Sequence, residues 1–204
     1  MILSVLDRPK DTENSTCILS GQSFFKDANR LEIEIGCGKG LFLAEEAKVH
    51  LRNYYLGIES ARTYARIAEE RMCERKIQNV RILHWKVEEI LPYFLPQSAS
   101  RFHIYFPDPW PKKRHHKRRI WTQEFMDQMR RILTPEGKIY FGTDYLEYFD
   151  AVMETLDLSN SLFALERKEQ YRFFEDAATP TSYERKFKVE GRPLRFASFV
   201  KRVE

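Results

Sequence analysis

Strand-like and helix-like segments alternate through the first 157 residues of the 204-residue chain, which predicts an α/β fold around a doubly wound, mostly parallel sheet. Two features reinforce this reading. A glycine-rich turn follows the first strand directly. Two strand-like runs come after the last helix and are placed to pair antiparallel at one edge of the sheet.

Residues 1 to 29 have no clear period and contain Pro9, Asn14, Ser15 and Gly21, so they read as a lead-in to a domain spanning 30 to 204. Leu31-Glu32-Ile33-Glu34-Ile35 alternates with period two and predicts the first strand, which runs into Gly36-Cys37-Gly38-Lys39-Gly40. Leu41 to Leu51 predicts a helix, with Leu41, Ala44, Ala47, Lys48 and Leu51 near one face. Tyr54 to Ile58 is a second strand ending at Glu59, and Ala61 to Arg75, rich in Ala, Arg and Glu, is a second helix. Val80 to Leu83 and Phe102 to Phe106 predict strands three and four, the latter ending in Pro107-Asp108-Pro109-Trp110. Thr122 is placed to cap a helix to Leu133, closed by Pro135 and Gly137. Lys138 to Phe141 predicts strand five and Asp144 to Leu156 a helix; Leu162 to Leu165 and Phe196 to Val200 are the last two strands. Residues 168 to 195 form a long insertion between these two, and an ordered insertion of that length points to function.

Composition narrows the class. With 43% hydrophobic and 14% aromatic residues, a chain this long builds a core without disulfides. No segment approaches the ~18 apolar residues of a membrane helix, and the short apolar start at Met1 lacks the basic flank of a secretion signal. Cys17, Cys37 and Cys73 are odd in number and none pair as Cys-x-x-Cys. The five histidines show no ligand spacing. The expectation is a cytoplasmic protein without a metal and without a membrane partner, either monomer or homodimer. The net charge of +4 conceals a concentration: residues 112 to 119 read Lys-Lys-Arg-His-His-Lys-Arg-Arg, six permanent positive charges without an acid, leaving 28 basic against 30 acidic residues elsewhere. Such a patch suits a polyanion.

Several groups of residues carry chemistry. Glycines at 36, 38 and 40 let the chain turn sharply and let a ligand approach the backbone. A dinucleotide loop would place its third glycine at 41, where Leu41 stands, and the Gly-Lys-[Ser/Thr] of a phosphate loop is absent. An acid followed by alternating glycines suits a nucleoside without phosphates, with Glu34 placed to pair with the ammonium of a methionine moiety. Glu59, about 20 residues beyond the loop, suits ribose hydroxyls. Three prolines fix the backbone around Asp108, and Trp110 offers a face for a purine. The run from Lys112 to Arg119 suits phosphates, although a solvated loop or a localisation signal has the same composition. Thr143-Asp144-Tyr145 ends strand five at the same sheet edge, where Asp144 also suits a helix cap. Thr181 and Glu184 match a capping box as well as a binding segment.

In order and spacing these residues resemble the bacterial tRNA (guanine-N7)-methyltransferase family, from about residue 31 to the C-terminus. The most specific stretch is Pro-Asp-Pro-Trp-Pro-Lys-Lys-Arg-His-x-Lys-Arg-Arg; Thr-Asp-x-x-x-Tyr at 143 to 148 and Pro-Thr-x-Tyr-Glu at 180 to 184 are further marks. The resemblance implies the seven-stranded S-adenosylmethionine-dependent methyltransferase fold with its last strand antiparallel. It also implies methyl transfer to N7 of a guanosine in the tRNA variable loop. Residue by residue it implies cofactor contacts at Glu34, Gly36, Gly38, Glu59, Lys86 and Asp108. Asp108 would be the catalytic residue between cofactor and guanine, and Lys112, Asp144, Thr181, Ser182, Tyr183 and Glu184 would contact the substrate. At one position the chain departs: where the family usually has an acid or amide near the adenine stands Lys86, whose backbone, or Glu88, would have to serve instead.

N7 of guanine has an exposed lone pair, so no base is needed before attack; the site must position donor and acceptor and stabilise the positive charge that grows on the imidazole ring. Asp108 suits the second task, and Asp144 or Glu184 suits the donor edge of the guanine. Two rivals share the motifs: an RNA methyltransferase of the same fold acting on a different base atom, and a non-catalytic RNA-binding relative.

Overall fold

In the computed structural model, residues 19–158, 163–169 and 181–202 are described. Residues 1–18, most of the expected lead-in, and 170–180, the centre of the expected insertion including Pro180, lie outside them. A short helix α1 (Gly21–Phe24) precedes β1 (Leu31–Ile35), α2 (Leu41–Val49), β2 (Tyr54–Glu59), α3 (Arg62–Glu74), β3 (Val80–His84) and α4 (Val87–Ile90). Then follow β4 (Ala99–Tyr105), α5 (Gln123–Ile132), β5 (Leu133–Thr143), α6 (Leu146–Leu158), β6 (Phe163–Glu169), α7 (Ser182–Val189) and β7 (Arg195–Lys201). The sheet has seven strands in the order β3-β2-β1-β4-β5-β7-β6. The first five run parallel, and β7 is antiparallel to both β5 and β6. The order reverses between β1 and β4, and in such sheets ligands bind at the carboxyl ends of the strands flanking that point.

Most elements fall where hydrophobic periodicity places them, and the differences have local causes. The buried side of α2 is made by Phe42, Leu43, Ala44, Glu46 and Ala47 rather than by Leu41, Lys48 and Leu51, because the helix ends at Val49 and leaves Leu51 on the surface. Helix α5 begins at the expected cap, where Thr122 Oγ1 accepts from the amide of Phe125 at 3.2 Å. It is not closed by Pro135 and Gly137. The chain passes directly into β5 at Leu133, and a register irregularity between Ala99 and Arg101 absorbs residues 134–137. Strand β4 is longer at its start than the sequence suggests and stops one residue earlier, because Phe106 takes a positive φ of 51°.

One apolar cluster packs Ile33, Leu56, Phe102, Ile104, Met126, Ile139 and Phe141 on one side of the sheet; a second gathers Phe42, Leu43, Ala65, Ala68, Tyr105, Phe187 and Phe196 on the other. Among the described residues no helix is long and apolar enough to cross a membrane.

Candidate active site

The carboxyl ends of β1, β2, β3 and β4 open into a cleft of about 420 Å³, lined by the glycine loop, Ile58 to Ala61, Trp85 to Glu88, Tyr105 to Asp108, Trp110, Arg118, Ile120 and Tyr183. A neighbouring cavity of about 300 Å³ lies between Glu34, the same loop and the start of α7. Gly36, Gly38, Tyr64, Tyr105 and Tyr183 line both and form the boundary, or neck, between the two.

The glycine loop is shaped for close approach. Gly36, Gly38 and Gly40 have φ of 71°, 54° and 67°, a region that side chains with a Cβ rarely enter. A Cβ built at Gly36 or Gly38 meets nothing within 4 Å, so these two face open space; at Gly40 it would lie 2.9 Å from Ala68 and Met72, so Gly40 serves the packing of α2 on α3. Glu59 fixes the loop: its Oε2 accepts from the amide of Gly38 at 2.8 Å and its Oε1 from that of Ala61 at 2.8 Å. Cys37 points inward, and burial, with the charges of Glu34 and Glu59, pushes its thiol well up. Glu34 is buried beside the loop on β1. At the far side the amide of Trp85 donates to the carbonyl of Glu59, which draws the chain after β3 toward the cleft. Lys86 lines the cleft there while its ammonium lies 3.2 Å from Glu89 Oε1.

The loop from Phe106 to Trp110 is bracketed by two residues at positive φ, Phe106 at 51° and Trp110 at 43°. Non-glycine residues pay roughly 1 kcal/mol or more for this conformation. Several contacts hold it. The amide of Phe106 donates to Gly142 at 2.7 Å, and its ring packs edge-on against Phe187 and Phe196. Arg119 Nε donates to the carbonyl of Pro109 at 2.9 Å, and its other arm bonds Glu147 at 2.9 Å. Asp108 emerges exposed at the cleft wall.

The basic run forms a 3-10 helix over Lys113–Arg118 with Lys112 at its N-cap, and Lys112, Lys113, Arg114, Lys117 and Arg118 are exposed. Its members differ. Arg118 lies over the Trp110 ring at 4.8 Å, occupying one face of the indole expected to receive a purine. Arg119 is 9% exposed and stacks on Tyr148 at 4.8 Å, so it fastens the loop rather than meeting phosphate.

Thr181 Oγ1 accepts from the amide of Glu184 at 3.0 Å and so caps α7, the helix start that the capping-box reading of these two residues allows. Thr181, Ser182 and Tyr183 line the smaller cavity, and Tyr183 reaches the larger. Burial, together with Tyr64, Asp108 and Glu59, raises the Tyr183 phenol. Glu184 is buried with Oε1 3.0 Å from Lys188. Asp144 does not cap α6; it pairs with Arg192 at 2.9 Å. The structure therefore brings Glu34, Gly36, Gly38, Glu59, Lys86, Asp108, Thr181, Ser182 and Tyr183 to the two cavities, while Lys112, Asp144 and Glu184 are not among the lining residues. Sequence reasoning missed Tyr64, Tyr105 and Trp85: an aromatic residue beside a loop carries no signal until the sheet order is known. Among the described residues no group of three or more His, Cys, Asp or Glu is arranged for a metal.

A family described as "Putative methyltransferase" matches residues 28–197. The chain is 32% identical over 175 residues to a tRNA (guanine-N(7)-)-methyltransferase of Lactiplantibacillus plantarum, covering 83% of this chain and 80% of that one. It is likewise 32% identical to the protein of that name in Rhodopirellula baltica, covering 95% and 74%. Among solved structures, an antibiotic-related methyltransferase superposes with a TM-score of 0.64 at 18% identity, over 92% of this chain and 96% of that one. The 16S rRNA (adenine(1408)-N(1))-methyltransferase of Catenulisporales acidiphilia superposes at 0.62 and 14% identity, over 90% and 92%. At these identities the structural likeness bears on the fold alone.

Proposed function

The chain belongs to the tRNA (guanine-N7)-methyltransferase family, and from that premise we propose that it transfers a methyl group from S-adenosylmethionine to N7 of a guanosine in the variable loop of tRNA. The observation that carries this reading is the cleft itself: an open-faced glycine loop at one end, a wall bearing the exposed Asp108 at the other, and a cationic helix beside it. When bound, S-adenosylmethionine supplies a methyl group activated by a positively charged sulfur.

The chain's residues fit that ligand. Gly36 and Gly38 leave room for it against their backbone, and Glu34 lines the cavity beside them with a carboxylate suited to an ammonium group. Glu59 retains lone pairs for ribose hydroxyls beyond its two amide bonds, since a carboxylate offers about four acceptor sites. At Lys86 the side chain is engaged with Glu89, so its backbone is the part suited to the adenine. Asp108 stabilises the positive charge that develops on the guanine ring, and no residue need remove a proton. Lys112, Lys117 and Arg118 meet phosphates. Thr181 to Glu184 and Asp144 contact the guanosine, with Lys188 and Arg192 paired to the two carboxylates. With tRNA as substrate, the compartment is the cytoplasm.

Incubation with labelled S-adenosylmethionine and unmodified tRNA, followed by nucleoside mass spectrometry, tests this. The expected product is 7-methylguanosine. A methyl group on an exocyclic amine, or binding of tRNA without transfer, would overturn the reading in favour of one of the two rivals.

A further inference from the structure

A chain of polar side chains crosses the interior from the amino edge of the sheet to the cleft. Glu32, 2% exposed, lies in β1, and its Oε2 is 2.9 Å from His103 Nε2 in β4. The other ring nitrogen, Nδ1, is 3.1 Å from the hydroxyl of Tyr105, two residues along the same strand and hence on the same face. Asn53 donates to Glu32 Oε1 at 2.9 Å, and Arg30 and Arg101 flank that carboxylate at 3.6 and 3.5 Å. An ionised carboxylate only accepts, so His103 donates to it from Nε2, and Nδ1 is hydrogen-bonded to the Tyr105 hydroxyl.

The far end of this chain matters because Tyr105 lines both cavities at their neck. Its ring is held from three sides: Phe42 packs edge-on at 5.2 Å, His103 binds the hydroxyl, and the neighbouring strand offers Gly142, where an added Cβ would lie 3.3 Å from the tyrosine ring. Stability alone does not call for such an arrangement. Buried ion pairs are often replaced by apolar residues at no cost, and the surrounding core is otherwise apolar and aromatic.

We propose that Glu32, His103 and Tyr105 form a positioning relay that holds the Tyr105 side chain at the neck of the cleft, a role that rests on S-adenosylmethionine being the ligand there. A ligand spanning both cavities passes this neck with the atoms joining its amino-acid end to its nucleoside, which for S-adenosylmethionine is the sulfonium region. Tyr105 touches the cofactor; His103 and Glu32 act through it.

The test uses the full chain, with calorimetric titration of S-adenosylmethionine, tRNA binding, and the KM for each. Tyr105→Phe removes only the terminal hydroxyl and leaves the Glu32–His103 pair intact. It should raise the Kd and KM for S-adenosylmethionine about five- to tenfold, with the KM for tRNA within twofold of wild type, a split that a general loss of structure would not give. His103→Gln should produce the same shift, and the double variant should be no worse than either single one, since the two act as a unit. Cofactor affinity within twofold of wild type in Tyr105→Phe, or effects that multiply in the double variant, would overturn the relay while leaving the methyltransferase reading intact. If His103→Gln does not fold, Tyr105→Phe alone decides. Wild-type protein that binds no S-adenosylmethionine would instead contradict the cofactor reading itself.

Discussion

Asp108 and Glu59 are both carboxylates of the cleft, but their surroundings give them different work. Asp108 is exposed at the end of a loop whose backbone is fixed by Phe106, Trp110 and Arg119. Asp108→Asn keeps its shape and removes its charge; methyl transfer should fall on the order of a hundredfold, while tRNA affinity, measured by filter binding, is retained or rises. Loss of tRNA binding with normal turnover at saturation would refute this role. Glu59 has both oxygens on backbone amides, so Glu59→Ala should weaken cofactor binding through the ribose and also loosen the loop at Gly38. Calorimetry should show a loss of about 1.5–3 kcal/mol with tRNA binding unchanged. The acid after strand two and the acid between prolines were both legible in the sequence, because residue type and spacing define them. That Arg118 covers Trp110 was not, since it depends on Lys113–Arg118 closing into a short helix.

Charge counting alone assigns all six cations of the basic run to RNA, yet Arg119, the C-cap of its 3-10 helix, is tied to Pro109 and Glu147. Lys117→Ala with Arg118→Ala should flatten the slope of log affinity against log salt by up to about two units if both meet phosphates. Arg119→Ala should leave that slope unchanged and lower stability by about 2 kcal/mol, since it removes charged hydrogen bonds to Pro109 and Glu147. Thermal unfolding together with salt-dependent binding separates the two outcomes. Helix α7 shows the converse problem. Its start is marked in the sequence by Thr181 and Glu184, but its extent is not, because its apolar buried face is reduced to Phe187. Thr181→Ala should cost about 1 kcal/mol through the lost cap. Adding tRNA should slow hydrogen exchange across 182–189, because this helix walls the cleft; exchange indifferent to tRNA would count against a substrate role for it.

At the scale of the whole molecule, the alternation of strand and helix was readable because each strand is short and bounded by turn residues. The insertion of β7 between β5 and β6 follows only from pairing across more than 50 residues. The polar chain through the sheet was hidden for the same reason: Glu32 reads as the polar half of an alternating strand, and only the β1–β4 pairing brings it to His103. Burial alone would raise the Glu32 carboxyl, but the hydrogen bond and charge of His103, with Arg101 and Arg30, outweigh it and hold it below its ordinary value. A depressed carboxyl contributes stability that is complete above its unfolded value of about 4.3 and lost as the pH falls through the folded one. The melting temperature should therefore drop more steeply below about pH 4.3 in wild type than in Glu32→Gln; parallel curves would contradict this. The most direct measurement for the molecule as a whole is methyl transfer to a tRNA whose variable-loop guanosine is replaced by 7-deazaguanosine, which keeps every other edge of the base but has no N7. Robust transfer to the unsubstituted tRNA and none to the 7-deaza tRNA is the expected result; equal transfer to both would contradict N7 of that guanosine as the acceptor.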